Sequence, residues 1–416
     1  MAFMMAKTTE DKGEAMASID TMLGLIGKLE SPYITVHQER CVLVRNRHAD
    51  CLRCAEACAS GCISYDGASL SVSPEQCIGC GTCATVCPTC ALEAHHPGDA
   101  ALATACEAAL DAGAGTVTIG CGTLLDRARG RFDESMVVRV ECLGRVDESL
   151  LVHLAVQGAA EVALVHGDCE RCAHRRGRAC ADAVAETTGR LLALWGAPMV
   201  VRFAGKLPAA AKKAADHDGD RRALFAEGAQ TAARVGALVA EQTMAEALGG
   251  AALIGDAEGA ERPPASYLKV MDDGTLPHFV PDRRERLLDD LAALGEPEDV
   301  MVDTRLWGHV VIHSERCTSC QMCAVFCPTG ALAKFADGDG VFGVEHRPSD
   351  CVKCRSCEVI CPADAIEISE EVFAVDLLGG VTDRYEMRPR AVRHDTPHTI
   401  WHKAQTMMKT DQVYER

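Results

Sequence analysis

From residue 98 to residue 205, the hydrophobic pattern alternates between one typical of helices and one typical of strands. Alanine-rich stretches with helical spacing alternate there with short β-branched runs, which are Thr116–Ile119, Val137–Val140, Val162–Val165 and Met199–Phe203. Such runs between helices are typical of parallel strands covered by helices. The pattern therefore predicts a small α/β domain with a parallel sheet over residues 98–205.

Helical patterns flank this region on both sides. Near the N-terminus, apolar residues recur at helical spacing and predict an amphipathic helix within residues 1–36. These residues are Ile19, Met22, Leu23, Ile26 and Leu29. Residues 206–300 contain no cysteine and predict a helical connector, with helical patterns over Arg221–Leu248 and Asp282–Leu294 that prolines separate.

The amino-acid composition limits the kinds of site that the chain can form. The chain has 416 residues, of which 24 are cysteines and only 4% are aromatic. Dense cysteine indicates disulfides, zinc sites or iron–sulfur clusters. We find no secretory signal in the stretch Met1–Lys7 and no apolar run long enough to span a bilayer. We therefore expect a reducing cytoplasm, where cysteines bind metal rather than form disulfides.

The net charge of −18 argues against a nucleic-acid partner, because proteins that bind nucleic acids carry basic faces. It suits docking on basic patches of other proteins, and it also suits solubility alone. No glycine-rich dinucleotide loop follows a predicted strand, and no phosphate-binding loop or nucleophile elbow is present. We therefore expect no catalytic residues and no cofactor site apart from metal clusters.

The second cysteine-rich block, within residues 301–372, repeats one spacing twice. Each run reads C-x2-C-x2-C-x3-C-P, first from Cys317 to Pro328 and then from Cys351 to Pro362. Three cysteines in one tight loop can bind three corners of a cubane, whereas the fourth, which we expect to open a helix, reaches the other cluster. Zinc sites commonly use two separate C-x2-C pairs instead. The spacing therefore predicts two [4Fe-4S] clusters, one held by Cys317, Cys320, Cys323 and Cys361, the other by Cys351, Cys354, Cys357 and Cys327.

The first block, within residues 37–97, is a variant of this pattern. The run from Cys77 to Pro88 matches the spacing, but the run before it has one extra residue ahead of its third cysteine and no proline after Cys62. We expect this altered loop to bulge and still to bind a cluster. The predicted ligands are Cys51, Cys54, Cys58 and Cys87 for one [4Fe-4S] cluster and Cys77, Cys80, Cys83 and Cys62 for the other. The cysteines left over, expected to be inert thiols, are Cys41, Cys90, Cys106 and Cys180.

Both blocks resemble the bacterial-type ferredoxin family that binds two [4Fe-4S] clusters. The resemblance implies a compact α+β fold with two short hairpins and two short helices around the clusters. It also implies low-potential one-electron transfer without catalysis. The short apolar runs Val310–Ile312 and Ala365–Ile368 predict the strands that flank the second block.

Three predicted strands of the middle domain each lead to a cysteine. Cys121 and Cys142 follow the first two strands, and the pair Cys169 and Cys172 follows the third. Ligands bind open parallel sheets at the carboxyl ends of the strands, so these four thiols could form one metal site. A histidine ligand from His166 or His174, or buried structural thiols, are the alternatives.

The segment Cys142-Leu143-Gly144-Arg145-Val146-Asp147, together with Gly158–Ala160 and Gly167–Cys169, resembles the small iron–sulfur (delta) subunit of methyl-viologen-reducing hydrogenases, which is found with heterodisulfide reductases. That resemblance implies a [2Fe-2S] cluster and a relay role. The chain departs from the family in its lone Cys121 and in the short spacing between Cys169 and Cys172, which leaves the cluster type open.

Together these patterns predict a multidomain protein of the α+β and α/β classes. Two dicluster ferredoxin modules, over residues 37–97 and 301–372, flank the α/β domain over residues 98–205 and the connector over residues 206–300. Residues 373–416 form a tail that is locally basic from Arg384 onward, and we expect it either to dock on a partner or to pack on its own domain.

We expect an electron-transfer subunit that relays single electrons inside a cytoplasmic oxidoreductase complex. Its partners would be a catalytic subunit and an electron donor or acceptor protein. The catalytic subunit would be a molybdopterin enzyme, a hydrogenase, or a flavin or heterodisulfide-reductase-type subunit. A cluster-based redox sensor, and an enzyme with an open coordination site at the middle cluster, are the alternatives.

Overall fold

The computed structural model describes residues 31–213 and 270–388. The first cysteine-rich block folds as a small α+β unit framed by two antiparallel strand pairs. These are β1 (Ile34–Val36) with β4 (Leu92–Ala94), and β2 (Ile63–Tyr65) with β3 (Leu70–Val72). Three short helices lie between the strands, α1 (Val42–Arg45), α2 (Arg53–Ala57) and α3 (Thr82–Val86).

Strand β1 extends this first unit toward the N-terminus. The sequence pattern assigns residues 1–36 to a separate helix, but β1 pairs with β4, and Ile34 is only 1% exposed. Ile34 shares a core with Leu70 and Leu92, so the unit needs β1 to cover that core. The unit therefore begins before residue 37. The apolar stripe from Ile19 to Leu29 lies outside the described residues.

The middle of the chain forms a four-stranded sheet in which every neighbouring pair is parallel, in the order β6-β5-β7-β8. Its strands are β5 (Thr116–Cys121), β6 (Val137–Val140), β7 (Glu161–Val165) and β8 (Val200–Ala204). The accompanying helices are α4 (Asp99–Ala112), α5 (Gly122–Arg127), α6 (Glu148–Val156) and α7 (Gly177–Leu194). The predicted parallel sheet is confirmed.

Both faces of this sheet are covered, which explains why its strands are continuous apolar runs. On one face, Ile119 and Leu164 lie in a core with residues of α4, α6 and α7. On the other face, Val165 packs with Leu125 of α5 and with Leu207, which follows β8. Parallel strands buried on both faces need apolar side chains at successive positions rather than at alternate ones.

The connector contains helix α8 (Asp282–Leu294), which occupies the residues that the pattern predicts. Leu287 and Leu291 of α8 pack in one core with Val152 of α6. The two helices are also joined by His153, whose ring nitrogens lie 2.8 Å from Glu107 Oε1 and 3.2 Å from Asp290 Oδ1. This helix is thus part of the packed structure. The helices predicted over Arg221–Leu248 lie outside the described residues.

The second cysteine-rich block is a larger α+β unit with three antiparallel sheets, β10-β13, β9-β14 and β11-β12-β15. Its strands are β9 (Met301–Asp303), β10 (His309–Ile312), β11 (Leu332–Ala336), β12 (Phe342–His346), β13 (Ile366–Ser369), β14 (Glu371–Phe373) and β15 (Asp383–Met387). Its short helices are α9 (Met322–Phe326) and α10 (Ser356–Ile360). The predicted flanking strands pair with each other as β10 and β13.

The start of the C-terminal tail belongs to this second unit. Strand β15 pairs along its whole length with β12. Arg384 lies over the ring of Phe335, 3.9 Å from its centroid, and its guanidinium is 3.0 Å from Asp337. Arg384 is therefore engaged within the unit, as the packing alternative expects for residues 383–387, and docking on a partner stays a prediction. The rest of the tail, from residue 389, lies outside the described residues.

In the part of the chain that the structure describes, no helix combines the length and the apolar character that crossing a membrane requires.

Candidate metal centres

Three cysteine loops share one local geometry. Each contains a five-residue helix, α3, α9 or α10, whose second residue is a cysteine and whose C-cap is another cysteine in an extended conformation. The C-cap residues are Cys87, Cys327 and Cys361. The expectation that the fourth cysteine opens a helix is therefore wrong, since it ends one.

The loop with irregular spacing has the same geometry, but with a different set of cysteines. Helix α2 also has five residues, its second residue is Cys54, and its C-cap is Cys58 with φ −74° and ψ 115°. For comparison, Cys87 at the end of α3 has φ −72° and ψ 114°. Cys58 therefore occupies the fourth position of its motif, whereas the sequence spacing assigns it to the third.

Cys41 occupies the first position of that motif. A single 3₁₀ turn, Gln38–Arg40, leads into Cys41, as Pro348–Asp350 leads into Cys351. The amide of each cysteine donates a 3.1 Å hydrogen bond to the carbonyl three residues earlier. The first run is thus a ferredoxin-type loop with α1 inserted between its first and second cysteines, and the extra residues hide the motif in the sequence.

The charges of the thiolates show which cysteines lie together. The pKa of Cys54 is raised to about 12, first by burial and then by the charges of Cys87, Cys41 and Cys51. The pKa of Cys41 is raised to about 11 by burial, with further contributions from Cys87 and Cys51. Cys41, Cys51, Cys54 and Cys87 therefore form one group. The structure thus brings Cys41, which the sequence analysis left as a spare thiol, beside Cys51, Cys54 and Cys87, where the sequence analysis placed Cys58.

Cys58 lies with the cysteines of the next loop. Burial raises the pKa of Cys80, and the charges of Cys58 and Cys77 raise it further. The pKa of Cys83 is likewise raised by burial first and then by several thiolates, Cys77 and Cys58 among them. The second group is therefore Cys58, Cys77, Cys80 and Cys83, with Cys62 beside it. Burial raises the pKa of Cys62 to about 12, and the charges of Cys58 and Cys77 raise it further.

Cys62 takes the place that alanine has in the other loops. It lies four residues after Cys58 and directly before a strand, as Ala91, Ala331 and Ala365 follow their own fourth cysteines. It is buried, and its Sγ lies 3.5 Å from Cys58 Sγ. Cys62 is thus a neighbour of the second group but does not stand at a ligand position of the shared loop geometry.

In the second unit, the structure places the predicted sets close together. The pKa of Cys323 is raised to about 12 by burial and then by the charges of Cys320, Cys317 and Cys361. Burial also raises the pKa of Cys357 strongly, and the next contributions come from Cys354, Cys351 and Cys327. The regular spacing in this block has no insertion, so the sequence pattern and the geometry agree on which cysteines meet.

The donor atoms fit iron–sulfur clusters. Backbone amides donate to the fourth cysteine of three loops, over 3.2 Å from Ala91 to Cys87, 3.4 Å from Leu332 to Cys327 and 3.3 Å from Ala365 to Cys361. Such donors stabilise the negative charge of a thiolate-bound cluster. Among the residues described, no three cysteines have Sγ atoms within 4.8 Å of one another. The sulfurs around a single zinc ion would be only about 3.8 Å apart.

The four middle cysteines lie at the carboxyl edge of the parallel sheet. Cys121 is the last residue of β5, and Cys142 follows β6 closely. The pKa of Cys142 is raised to about 12 by burial, and then by Cys80, Cys172 and Cys121. Burial raises the pKa of Cys169 as well, and the charges of Cys121 and Cys172 add to it. The predicted strand-end thiols therefore form one neighbourhood.

Two histidines near these thiols differ in availability. His166 uses both ring nitrogens, one 2.8 Å from Gly167 O and the other 2.8 Å from Arg178. His174 has a buried Nδ1 atom without a hydrogen-bond partner, and its backbone amide lies 3.5 Å from Cys172 Sγ. Of the two histidines considered from sequence, His174 is thus the one with a free nitrogen.

Gly177, which the sequence analysis does not single out, allows Cys142 its position. It is the first residue of α7, and a Cβ atom there would collide with Cys142 Sγ. Of the remaining thiols, Cys106 is fully buried in α4, and burial raises its pKa to about 12. Its charge interactions are with Glu107 rather than with another cysteine.

The cysteine groups of different units are close to one another. Cys51 of the first unit is among the charges that raise the pKa of Cys354 in the second unit, after burial and the larger contributions of Cys327 and Cys351. Arg45, which is 1% exposed, donates to the carbonyl of Cys327 over 3.3 Å. Cys80 is likewise the first thiolate to raise the pKa of Cys142 in the middle domain. The groups thus form a contiguous series across the molecule.

Comparison with known proteins agrees with this chemistry. The family described as "4Fe-4S dicluster domain" matches residues 316–365, and the family described as "4Fe-4S binding domain" matches residues 70–93. The chain therefore contains two [4Fe-4S]-binding regions of the ferredoxin type.

One curated protein shows partial similarity. It is AegA of Escherichia coli (strain K12), whose name assigns it provisionally to the oxidoreductases; it is 39% identical over 59 residues, or 14% of this chain. The chain spans only 9% of the length of that protein. No solved structure matches the chain significantly.

Proposed function

We propose that this protein is an iron–sulfur electron-transfer protein that relays single electrons between partner redox proteins. The matches to [4Fe-4S]-binding families support the redox chemistry, and the similarity to an oxidoreductase supports a place in such a system. Bound clusters would supply one-electron chemistry. The chain's own residues determine how many clusters there are and in which order they lie.

The proposed ligands combine the loop geometry with the thiolate neighbourhoods. Four [4Fe-4S] clusters are proposed, and the four ligand sets are Cys41, Cys51, Cys54 and Cys87; Cys58, Cys77, Cys80 and Cys83; Cys327, Cys351, Cys354 and Cys357; and Cys317, Cys320, Cys323 and Cys361. The middle site, with Cys121, Cys142, Cys169 and Cys172, is proposed to hold a [2Fe-2S] cluster.

The observation that supports the relay function is that neighbouring sites lie close to one another in a series. The middle site adjoins the second set through Cys142 and Cys80. After burial, the charge of Cys54 in the first set is among those that raise the pKa of Cys83 in the second set. The charge of Cys51 in the first set likewise raises the pKa of Cys354 in the third set. Electron transfer by tunnelling requires clusters that lie close together, whereas clusters with a purely structural role do not need to be close. The two ends of the series lie in different parts of the molecule, which suits two partners.

The chain divides, in this proposal, into a dicluster unit that begins before residue 37, the α/β domain to residue 205, the connector with α8, and a second dicluster unit that includes β15. We infer a cytoplasmic location, since these thiols must stay reduced until they bind iron. The partners are proposed to be a catalytic oxidoreductase subunit and an electron donor or acceptor protein.

A reductive titration tests the function. The full chain, purified without oxygen, is titrated with dithionite while its visible absorption and EPR spectrum are followed. The expected uptake is about five electrons per chain, one for each cubane and one for the two-iron centre, with signals broadened by magnetic interaction between neighbouring clusters. A chain that takes up no electrons in this titration would exclude the relay.

A further inference from the structure

Three side chains in the second unit form a cluster that iron–sulfur chemistry leaves unexplained. They are His309 at the start of β10, His346 at the end of β12 and Asp383 at the start of β15. His309 Nε2 lies 3.3 Å from Asp383 Oδ2, and His346 Nδ1 lies 3.7 Å from the same oxygen. Within the described ranges, this is the one group of three histidine, cysteine or carboxylate donors whose ligand atoms all lie within 4.8 Å of one another.

The buried member of this cluster lacks hydrogen bonds. His346 is 0% exposed, yet neither of its ring nitrogens has a hydrogen-bond partner, and Asp383 Oδ2 is also buried without one. Burying a polar group without a partner costs free energy, so such groups in a folded protein call for an explanation.

The two distances from the histidine nitrogens to Asp383 Oδ2 suit tetrahedral zinc, and the third donor pair lies within 4.8 Å. Zinc binds nitrogen and oxygen ligands at about 2.0–2.1 Å in a tetrahedron, which places neighbouring ligand atoms about 3.3–3.4 Å apart. The observed separations of 3.3 Å and 3.7 Å need only a small contraction to meet this value. A six-coordinate ion with ligands at about 2.1 Å would require closer donors, about 3.0 Å apart.

We propose that His309, His346 and Asp383 bind one zinc ion, with water as the fourth ligand. The partial exposure of the His309 and Asp383 side chains, 27% and 33%, leaves a path for the ion and room for the water. The ion would join strand β10 of one sheet to strands β12 and β15, which lie together in another sheet. It would thereby fix β15, the last described strand, to the body of the unit.

Zinc K-edge X-ray absorption on the full chain, purified without oxygen and with its iron content complete, tests the site directly. The protein is incubated with a slight excess of Zn²⁺ and passed over a desalting column. The expected result is about one zinc per chain with a first shell of nitrogen and oxygen at about 2.0–2.1 Å. Retained zinc with a sulfur shell at about 2.3 Å would place it on cysteines and overturn the proposal, as would no retained zinc.

Matched variants identify the ligands. Asp383→Asn keeps the shape of the side chain. Losing a residue that only hydrogen-bonds to a metal ligand weakens metal binding about 10–100-fold, and losing a ligand such as Asp383 is expected to weaken zinc binding more than that. The control is Glu367→Gln, which alters a similar surface pair, since Glu367 lies 3.4 Å from His313. Iron content verifies that both variants are folded. Equal zinc affinity in the two variants would contradict the assignment.

Discussion

Replacing Cys41 separates the ligand set that we propose from the structure from the one that the sequence spacing suggests. In the structure, Cys41 lies with Cys51, Cys54 and Cys87. Burial raises the pKa of the first three thiols, and the charge of Cys87 raises it further. The variant Cys41→Ala leaves that group with three thiolates. We expect the cluster to be lost, which removes about four of the roughly 18 irons per chain that four cubanes and one two-iron centre contain.

Cys62→Ala is the matched control, because Cys41 and Cys62 are both 6% exposed. Removing a buried thiol of this size costs about 1 kcal/mol of stability in either variant, so a loss of iron confined to Cys41→Ala reflects ligation. The assay is iron and acid-labile sulfide per chain after anaerobic purification. The reverse result, with iron lost from Cys62→Ala and kept in Cys41→Ala, would refute the structural assignment and restore the assignment from spacing.

Other substitutions test the packing around these sites. Gly177→Ala forces a Cβ against Cys142 Sγ and is expected to remove about two irons and the two-iron EPR signal, whereas Gly189→Ala in the same helix, where a Cβ meets open space, leaves both unchanged. Arg45→Met removes charged hydrogen bonds to carbonyls of both dicluster units and the connector, and should lower the unfolding free energy by about 3 kcal/mol in anaerobic guanidinium titrations; an unchanged midpoint would show that this contact does not join the units. Burial alone would lower the pKa of His153, but its two carboxylate partners raise it, so protonation stabilises the fold below about pH 6.5 and that contribution is lost as the pH rises through the raised pKa. The stability difference between wild type and His153→Gln should therefore shrink at higher pH, and a difference independent of pH would contradict this role.

The elements that depend on local pattern could be predicted from the sequence. Val137–Val140 is a strand with the predicted bounds, and Asp282–Leu294 is a helix with the predicted bounds. Their apolar residues report burial directly, because Val137–Val140 is a strand of the sheet of the middle domain and Asp282–Leu294 packs against α6 of that domain. The parallel order of the sheet followed from the alternation of helices and strands.

The cysteine groups of the first unit were harder to predict because an insertion changes the spacing of the motif. Helix α1 separates Cys41 from Cys51, while Cys62 happens to restore a run of four cysteines. A signal was present: Cys54-Ala55 and Cys58 align with Cys83-Ala84 and Cys87, which puts Cys62 opposite Ala91. Spacing counted from the first visible C-x2-C pair cannot find this, but alignment of the four loops can.

Features that depend on distant pairing carried no sequence signal. Strand β15 is recognisable only through its partner β12, so the basic pattern from Arg384 onward left open whether the tail docks on a partner or packs on its own domain. His309, His346 and Asp383 come together from three separate strands, and no spacing rule connects them. Sites of this kind emerge only when the sheets are assembled.

Iron-edge anomalous diffraction from crystals of the anaerobically purified chain tests the central claim most directly, because it locates every cluster. The account predicts four compact iron sites and a smaller fifth one, with the site at Cys41, Cys51, Cys54 and Cys87 adjacent to the one at Cys327, Cys351, Cys354 and Cys357. Isolated clusters separated by protein too thick for electron tunnelling, or anomalous signal from zinc instead of iron at these cysteines, would contradict it.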